Sequence, residues 1–374
     1  MSDARGGPLA RMWHHFPLKT QAVWLNLLLA AVPAAFALHL AHADPLLIFL
    51  FAALAIIPLA GVLGEATETL SAYSGPVIGG LLNATMGNAT ELILAFFALR
   101  AGHVEVVKAS LSGSIIGNLL LVLGLSVLAG GIGREKQQFS RTAAGANSSM
   151  LFLAVAALVM PAVYDLSIHE SLKFQGLDVQ TLSLWTAGVL MAVYGLSFLF
   201  TLKTHKSLFV AGEVEHGGKP EQSRRAAFLS LALATVLIAF LSEMLVDEIG
   251  AVTRQLGMTE LFVGVIVVAI VGNAAEHSTA VVMARRNQMD LAMTIAVGSS
   301  TQIALFVAPL LVFLSWGLGK RMSLVFHPLE IASIALSVLI VEMISSDGET
   351  NWFEGAQLLA LYLILGAAFY FVPA

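Results

Sequence analysis

Gly87-Asn88-Ala89-Thr90-Glu91 lies inside a long apolar run, and 185 residues further on Gly272-Asn273-Ala274-Ala275-Glu276 lies inside another. The same offset carries Gly113-Ser114 onto Gly298-Ser299. It also matches Leu120 with Leu305, Val122 with Val307, Leu125 with Leu310 and Val127 with Val312. Apolar coincidences are cheap in an apolar chain. Recurring Asn, Glu and Ser among apolar neighbours are not, so the offset reads as an internal repeat.

The surrounding composition says what those apolar runs are. Of 374 residues, 58% are apolar and only 11% are Asp, Glu, Lys or Arg, against about 25% charged in soluble domains. Mean hydropathy is +0.86. A soluble globule could not cover itself with so few charges. The net charge of -5, with no basic stripe, argues against nucleic-acid binding. The absence of cysteine removes disulfides, thiolate metal sites and a Cys nucleophile. A polytopic membrane protein remains.

A spanning helix needs about 20 mostly apolar residues. Eleven segments qualify: 21–41, 46–70, 77–99, 107–130, 142–162, 181–202, 226–248, 259–284, 290–316, 324–345 and 353–373. They are too long and too uniformly apolar for barrel strands. The repeat places spans two to six and seven to eleven in two five-helix copies. Five is odd, so the second copy inserts upside down. The expected fold class is therefore all-α polytopic: eleven transmembrane helices, one accessory helix plus two inverted five-helix repeats. That architecture is typical of secondary transporters, with the site near the midplane at the repeat interface. The expected organisation is 1–44, cytoplasmic N-terminus and accessory helix; 45–202, first repeat; 203–225, cytoplasmic linker; 226–374, second repeat. Thirteen Lys and Arg fall on one side of this scheme and six on the other, which sets the N-terminus inside.

An ionisable residue at the bilayer centre is disfavoured by roughly 2.5–3.5 kcal/mol on insertion scales, so it usually faces a cavity and has a function. Glu91 and Glu276 are both expected near mid-depth, with no Lys or Arg within a helical turn. Two uncompensated buried carboxylates call for a cation or protons. Gly87 with Asn88, and Gly272 with Asn273, would weaken the helix there and free carbonyls to face a cavity. Spans four and nine add neutral oxygens from Ser114, Asn118, Ser299 and Gln302; Ser300 and Thr301 lie in the same run. Such a hard, oxygen-only set fits Ca²⁺ well and Na⁺ less well. Glu65 and Glu243 are read as lining the cavity mouth or relaying protons. His277 could tune Glu276, carry a proton, or simply pack. Glu330 and Glu342 are read as interfacial.

Residues 83–93, Asn83-Ala84-Thr85-Met86-Gly87-Asn88-Ala89-Thr90-Glu91-Leu92-Ile93, resemble the first repeat signature of the cation/proton exchangers, Ca²⁺/H⁺ antiporters of the Ca²⁺:cation antiporter superfamily. Gly272-Asn273-Ala274-Ala275-Glu276-His277 resembles the second. The stretches 114–124, 298–305 and 346–355 also match, and the resemblance spans about residues 45–373. It implies that Glu91 and Glu276 hold the ion, completed by carbonyls around Gly87, Asn88, Gly272 and Asn273 and by polar groups of spans four and nine. The expectation is Ca²⁺/H⁺ antiport by alternating access. Ca²⁺ and H⁺ are transported substrates, no cofactor is tightly bound, the lipid bilayer is the partner, and a homo-oligomer is allowed. The expected location is a prokaryotic plasma (inner) membrane. Na⁺/Ca²⁺ or K⁺/Ca²⁺ exchange on the same fold is the alternative. An intramembrane enzyme would need a nucleophile–base pair or a His-Glu-x-x-His motif, and the sequence has neither.

Overall fold

The structure, a computed structural model, describes residues 27–169, 176–204 and 222–373. The expected N-terminal segment, the start of the first expected span and most of the 203–225 linker lie outside these residues.

Helices α1 (Ala31–Leu40), α2 (Pro45–Met86), α3 (Ala89–Ala101) and α4 (Val104–Ile116) come first. Asp44 starts α2: its carboxylate accepts the Leu46 amide at 2.9 Å, and Pro45 supplies the preset first residue. Gly75 breaks α2 internally, with φ 77°, a left-handed conformation that a side chain would resist. A π turn, Gly117–Val122, links α4 to α5 (Leu123–Gly131). Then follow α6 (Arg141–His169), α7 (Leu177–Leu199) and α8 (Arg224–Leu256). The short α9 (Glu260–Phe262) runs through a π turn, Val263–Val268, into α10 (Ala269–Arg285). Next, α11 (Met289–Gln302) runs through the π turn Ile303–Val307 into α12 (Ala308–Gly317), before α13 (Pro328–Ser345) and α14 (Trp352–Tyr370).

Eight of these runs are long and apolar enough to cross a membrane, or nine if Glu260–Ala274 and Glu276–Arg285, bent by 64°, form one span. Among the described residues this count falls short of the expected eleven. Two expected spans account for the difference. The first shows only ten residues of helix, Ala31–Leu40. The third is broken at Gly87-Asn88, between the end of α2 and the 13-residue α3. Hydropathy averages straight across such a break. The chain is nonetheless an integral, multi-pass membrane protein. A small departure from all-α is a two-stranded antiparallel ribbon, β1 (Gln137–Gln138) with β2 (Glu349–Thr350). Lys136 beside it bonds Glu349 at 2.7 Å and holds that carboxyl below its ordinary range.

Burial ranks the helices. In the most apolar window of Val104–Gly131, 83% is buried inside the protein, against 17% for Leu177–Leu199. The first is therefore central and the second faces lipid with residues such as Trp185 and Val189. An offset of 185 carries Val104–Gly131 onto 289–316, and the structure's second central run is Met289–Gly317. The glycines of the repeat nevertheless do different work. A Cβ on Gly113 would run into the Val265 backbone, whereas one on Gly298 meets only Thr294 Cγ2 at 4.0 Å. Gly298→Ala should therefore keep or raise the thermal midpoint in detergent, by up to about 1 kcal/mol of helix propensity.

Candidate functional site

The break between α2 and α3 places Asn88 as the N-cap of α3 and Glu91 in its first turn. The matching bend on the other side falls later: α10 is helical through Gly272-Asn273, and the 64° bend lies between Ala274 and Glu276. The π turns Gly117–Val122 and Ile303–Val307 meet these breaks. A π turn adds a residue to the helical repeat and re-aims the side chains around it, commonly at functional sites. Asn118 lies in the first, and Gln302 directly precedes the second.

From these four elements the side chains converge. Asn118 Nδ2 donates toward Asn273 Oδ1 at 3.0 Å, Ser299 Oγ at 3.1 Å and Glu276 Oε2 at 3.4 Å. Asn273 Nδ2 donates to Ser114 Oγ at 2.8 Å and also reaches the Ala269 carbonyl. Ser299 Oγ donates to Asn88 Oδ1 at 3.1 Å, and Asn88 Nδ2 donates to Gln302 Oε1 at 2.6 Å. Glu91 crosses to the other half, and a Cβ on Gly272 would lie 3.3 Å from its Cγ. That glycine is what lets the carboxylate approach α10. Glu91 and Glu276 are close enough for their charges to interact.

This network ties Asn88, Ser114, Asn118, Asn273, Ser299 and Gln302 together with Glu276, and sets Glu91 against Gly272. Gly87 sits at the break beside them, its amide bonded to the Asn83 carbonyl. Two buried acceptors have no donor, Glu91 Oε2 and Asn118 Oδ1. A buried acceptor without a partner costs about 1–3 kcal/mol, more when charged. Among the described residues, no three His, Cys, Asp or Glu side chains cluster as a metal-holding group. The carboxylates number two, and the other oxygens are neutral.

The remaining candidates are Glu65, Glu243 and His277. Glu65 is half-buried on α2, and its carbonyl accepts the Thr69 hydroxyl. Glu243 is 43% exposed and pairs with Arg100 at 3.4 Å, in a cleft shared with Phe97 and Asp247. His277 buries an Nε2 that has no hydrogen-bond partner. Glu330, read as interfacial, lies in the first turn of α13 and is 1% exposed, so protein rather than solvent surrounds it. Lys108 is likewise buried, within α4. Position near a span end concealed both, because the neighbouring segment 320–327 folds over that end and buries Met322, Leu324 and Phe326.

Two interrupted helices thus bring two carboxylates and several amide oxygens together, an arrangement chemically suited to holding a hard cation. The sequence profile of the sodium/calcium exchanger protein family matches residues 45–203 and 226–371. The Ca(2+)/H(+) antiporter of Aphanothece halophytica is 46% identical over 370 residues, covering 95% of this chain and 98% of that protein. The Ca(2+)/H(+) antiporter ChaA of Bacillus subtilis is 43% identical over 352 residues, covering 93% and 99%. The solved structure of native YfkE superposes with a TM-score of 0.81 at 41% identity, over 93% of this chain and 100% of that one. The chain belongs to the Ca²⁺/H⁺ antiporter (cation/proton exchanger) family of the Ca²⁺:cation antiporter superfamily.

Proposed function

We propose that this protein is a Ca²⁺/H⁺ antiporter whose central site is the Glu91–Glu276 pair, worked by alternating access. The observation that carries this reading is the pair of buried, donorless oxygens, Glu91 Oε2 and Asn118 Oδ1, beside a second carboxylate. Ca²⁺ takes about six to eight oxygen ligands from carboxylates, amides, carbonyls and water. Asn88, Gly87, Asn273, Gly272, Ser114, Ser299 and Gln302 are the neighbours that would orient or complete such a set. Relatives that are Ca(2+)/H(+) antiporters over nearly their whole length support the substrate pair.

Two negative charges taken out of water are too costly to bury alone. Either one Ca²⁺ or protons on the carboxylates must neutralise them. Both occupants need the same oxygens, so binding is exclusive, and exclusive binding is exchange. An emptied, dianionic site resists closing. The site therefore changes sides only when loaded, and a proton gradient drives Ca²⁺ the opposite way. The internal offset of 185 and the odd span parity support two inverted repeats around this site, 45–202 and 226–374. The Lys and Arg asymmetry supports a cytoplasmic N-terminus, and the bacterial relatives support a plasma membrane. Glu65, Glu243 and His277 remain proposals for the mouth or for proton transfer.

The direct test is proton movement in proteoliposomes holding a pH dye, with Ca²⁺ added and no Na⁺ or K⁺ present. A Ca²⁺-dependent proton flux is expected; flux that appears only with Na⁺ or K⁺ would assign another coupling ion. Asn118 provides a graded check. Asn118→Ala removes the donor shared by Asn273, Ser299 and Glu276 together with a donorless acceptor. It should lower apparent Ca²⁺ affinity about 10–100-fold, the usual cost of losing a group that orients metal ligands, as read from the Ca²⁺ dependence of uptake.

A further inference from the structure

Away from the central site, α13 buries a second carboxyl that the ion-binding network does not use. Glu330 Oε2 accepts the His327 amide at 2.7 Å, and Oε1 lies 2.5 Å from Ser112 Oγ on α4. Ser112 Oγ is also 3.0 Å from the Ala109 carbonyl. One hydroxyl has one proton to give. If Ser112 gives it to Ala109, Oε1 must carry a proton and donate to Ser112. If Glu330 is ionised, Ser112 turns and donates to Oε1. Both protonation states are therefore hydrogen-bonded with the same heavy atoms, and a hydroxyl rotation converts one into the other.

A polar line leads inward from this group. Ser333 and Ser337 follow Glu330 at i+3 and i+7, on the same face of α13. Both are fully buried. Ser337 Oγ donates to the Ser333 carbonyl at 2.7 Å, whereas Ser333 Oγ has no hydrogen-bond partner. An unpaired buried hydroxyl is costly for structure alone. The line covers about 10 Å at 1.5 Å per residue. It runs along a helix packed against α4 and against the π turn that holds Asn118. The charged groups around Glu330 are Glu105 and Lys108 of α4, His327 at the head of α13, and Asp165, buried toward the same end of α6. Lys108 is committed to Glu105 at 2.8 Å and to the Val325 carbonyl at 3.0 Å. The offset of 185 puts Gly145, Met293 and Val297 where Glu330, Lys108 and Ser112 stand. The device exists in one half only.

We propose that Glu330 is a proton-carrying residue of the exchange cycle, taking up and giving off one proton as the Ser112 hydroxyl turns between the Ala109 carbonyl and Glu330 Oε1. Each transfer breaks one O–H bond as the next oxygen forms one, so α13 keeps no net charge over a cycle. The inference rests on the antiporter reading above.

Exchange of Ca²⁺ for Ca²⁺ needs no proton movement, and this separates the roles. Glu330→Gln keeps the acceptor for the His327 amide and a donor for Ser112 but cannot ionise. In proteoliposomes, proton-driven Ca²⁺ uptake by this variant should fall about a hundredfold, the low end of the cost of losing a positioned acid–base group. Counterflow of radiolabelled Ca²⁺ at equal pH should stay at the wild-type rate. Wild-type rates in both assays, or an equal fall in both, would overturn the proposal. If Glu330→Gln does not fold, Ser112→Ala decides. It removes the hydroxyl that turns between the two states and should show the same split at smaller size, and no split would overturn the proposal. Absence of proton-driven uptake in the wild type would instead refute the antiporter reading.

Discussion

Glu91→Gln should reduce Ca²⁺ transport to the background of empty vesicles while leaving the fold intact. The substitution conserves shape but replaces an anionic oxygen by an amide. In the native structure Glu91 Oε2 is buried with no donor, so no protein interaction holds it there and folding loses little. A bound cation loses a charged ligand. Breaking a buried charge pair by removing one partner costs about 3–5 kcal/mol, or about two to three and a half decades of affinity. Glu276→Gln should act in the same direction. Glu276 keeps the Asn118 contact at 3.4 Å, so its amide variant also retains a local partner. Uptake and thermal melting, measured on the same preparations, check both halves of the expectation. Transport within a few-fold of wild type by either variant would remove that carboxylate from the site.

The second large effect is on folding. Gly113→Val should prevent accumulation of folded protein. α4 crosses the π turn 263–268 with the backbones nearly touching. A Cβ on Gly113 would lie 2.6 Å from Val265 Cα and closer still to its carbonyl oxygen. In return, a Cβ on Gly264 would meet Ala109 Cβ and lie 3.0 Å from the Val106 carbonyl. Small residues at such crossings let helices pack where the membrane supplies no hydrophobic drive between them. The obstacle is backbone, which cannot rotate away, so the cost should reach about 3 kcal/mol or more. Because α4 leads to Ser114 and Asn118, even a folded remnant would misplace the site. Size-exclusion profiles in detergent, compared with Gly298→Ala, are the measurement.

These two predictions differ in how far the sequence foretold them. The repeated Gly-Asn-x-x-Glu runs and the Ser and Asn residues of spans four and nine stand out because polar residues are scarce in the chain, and the fold gathers them. The pairing of Gly113 with Gly298 looks symmetric in sequence, yet only Gly113 is pressed by a neighbouring helix, since contact depends on a crossing that the sequence does not contain. The same holds for the breaks. Gly-Asn occurs in both halves, but the chain breaks at Gly87-Asn88 in one and bends between Ala274 and Glu276 in the other. Packing against the partner helices decides which weak point yields. Hydropathy does not show where a break interrupts an apolar window, as at Gly87-Asn88, and the two-residue ribbon carries no periodicity to read. Glu330 stands at a span end, and its burial there comes with the packed segment 320–327, which no local pattern records.

The claim on which the whole account turns is that Ca²⁺ and protons compete for the same two carboxylates. Calorimetric titration of the purified protein with Ca²⁺, repeated in buffers of different ionisation enthalpy and across the neutral pH range, tests it directly. The account predicts that protons are released as Ca²⁺ binds, that affinity weakens as the pH falls, and that both signals vanish in Glu91→Gln and Glu276→Gln. Ca²⁺ binding of constant affinity with no proton release would contradict it.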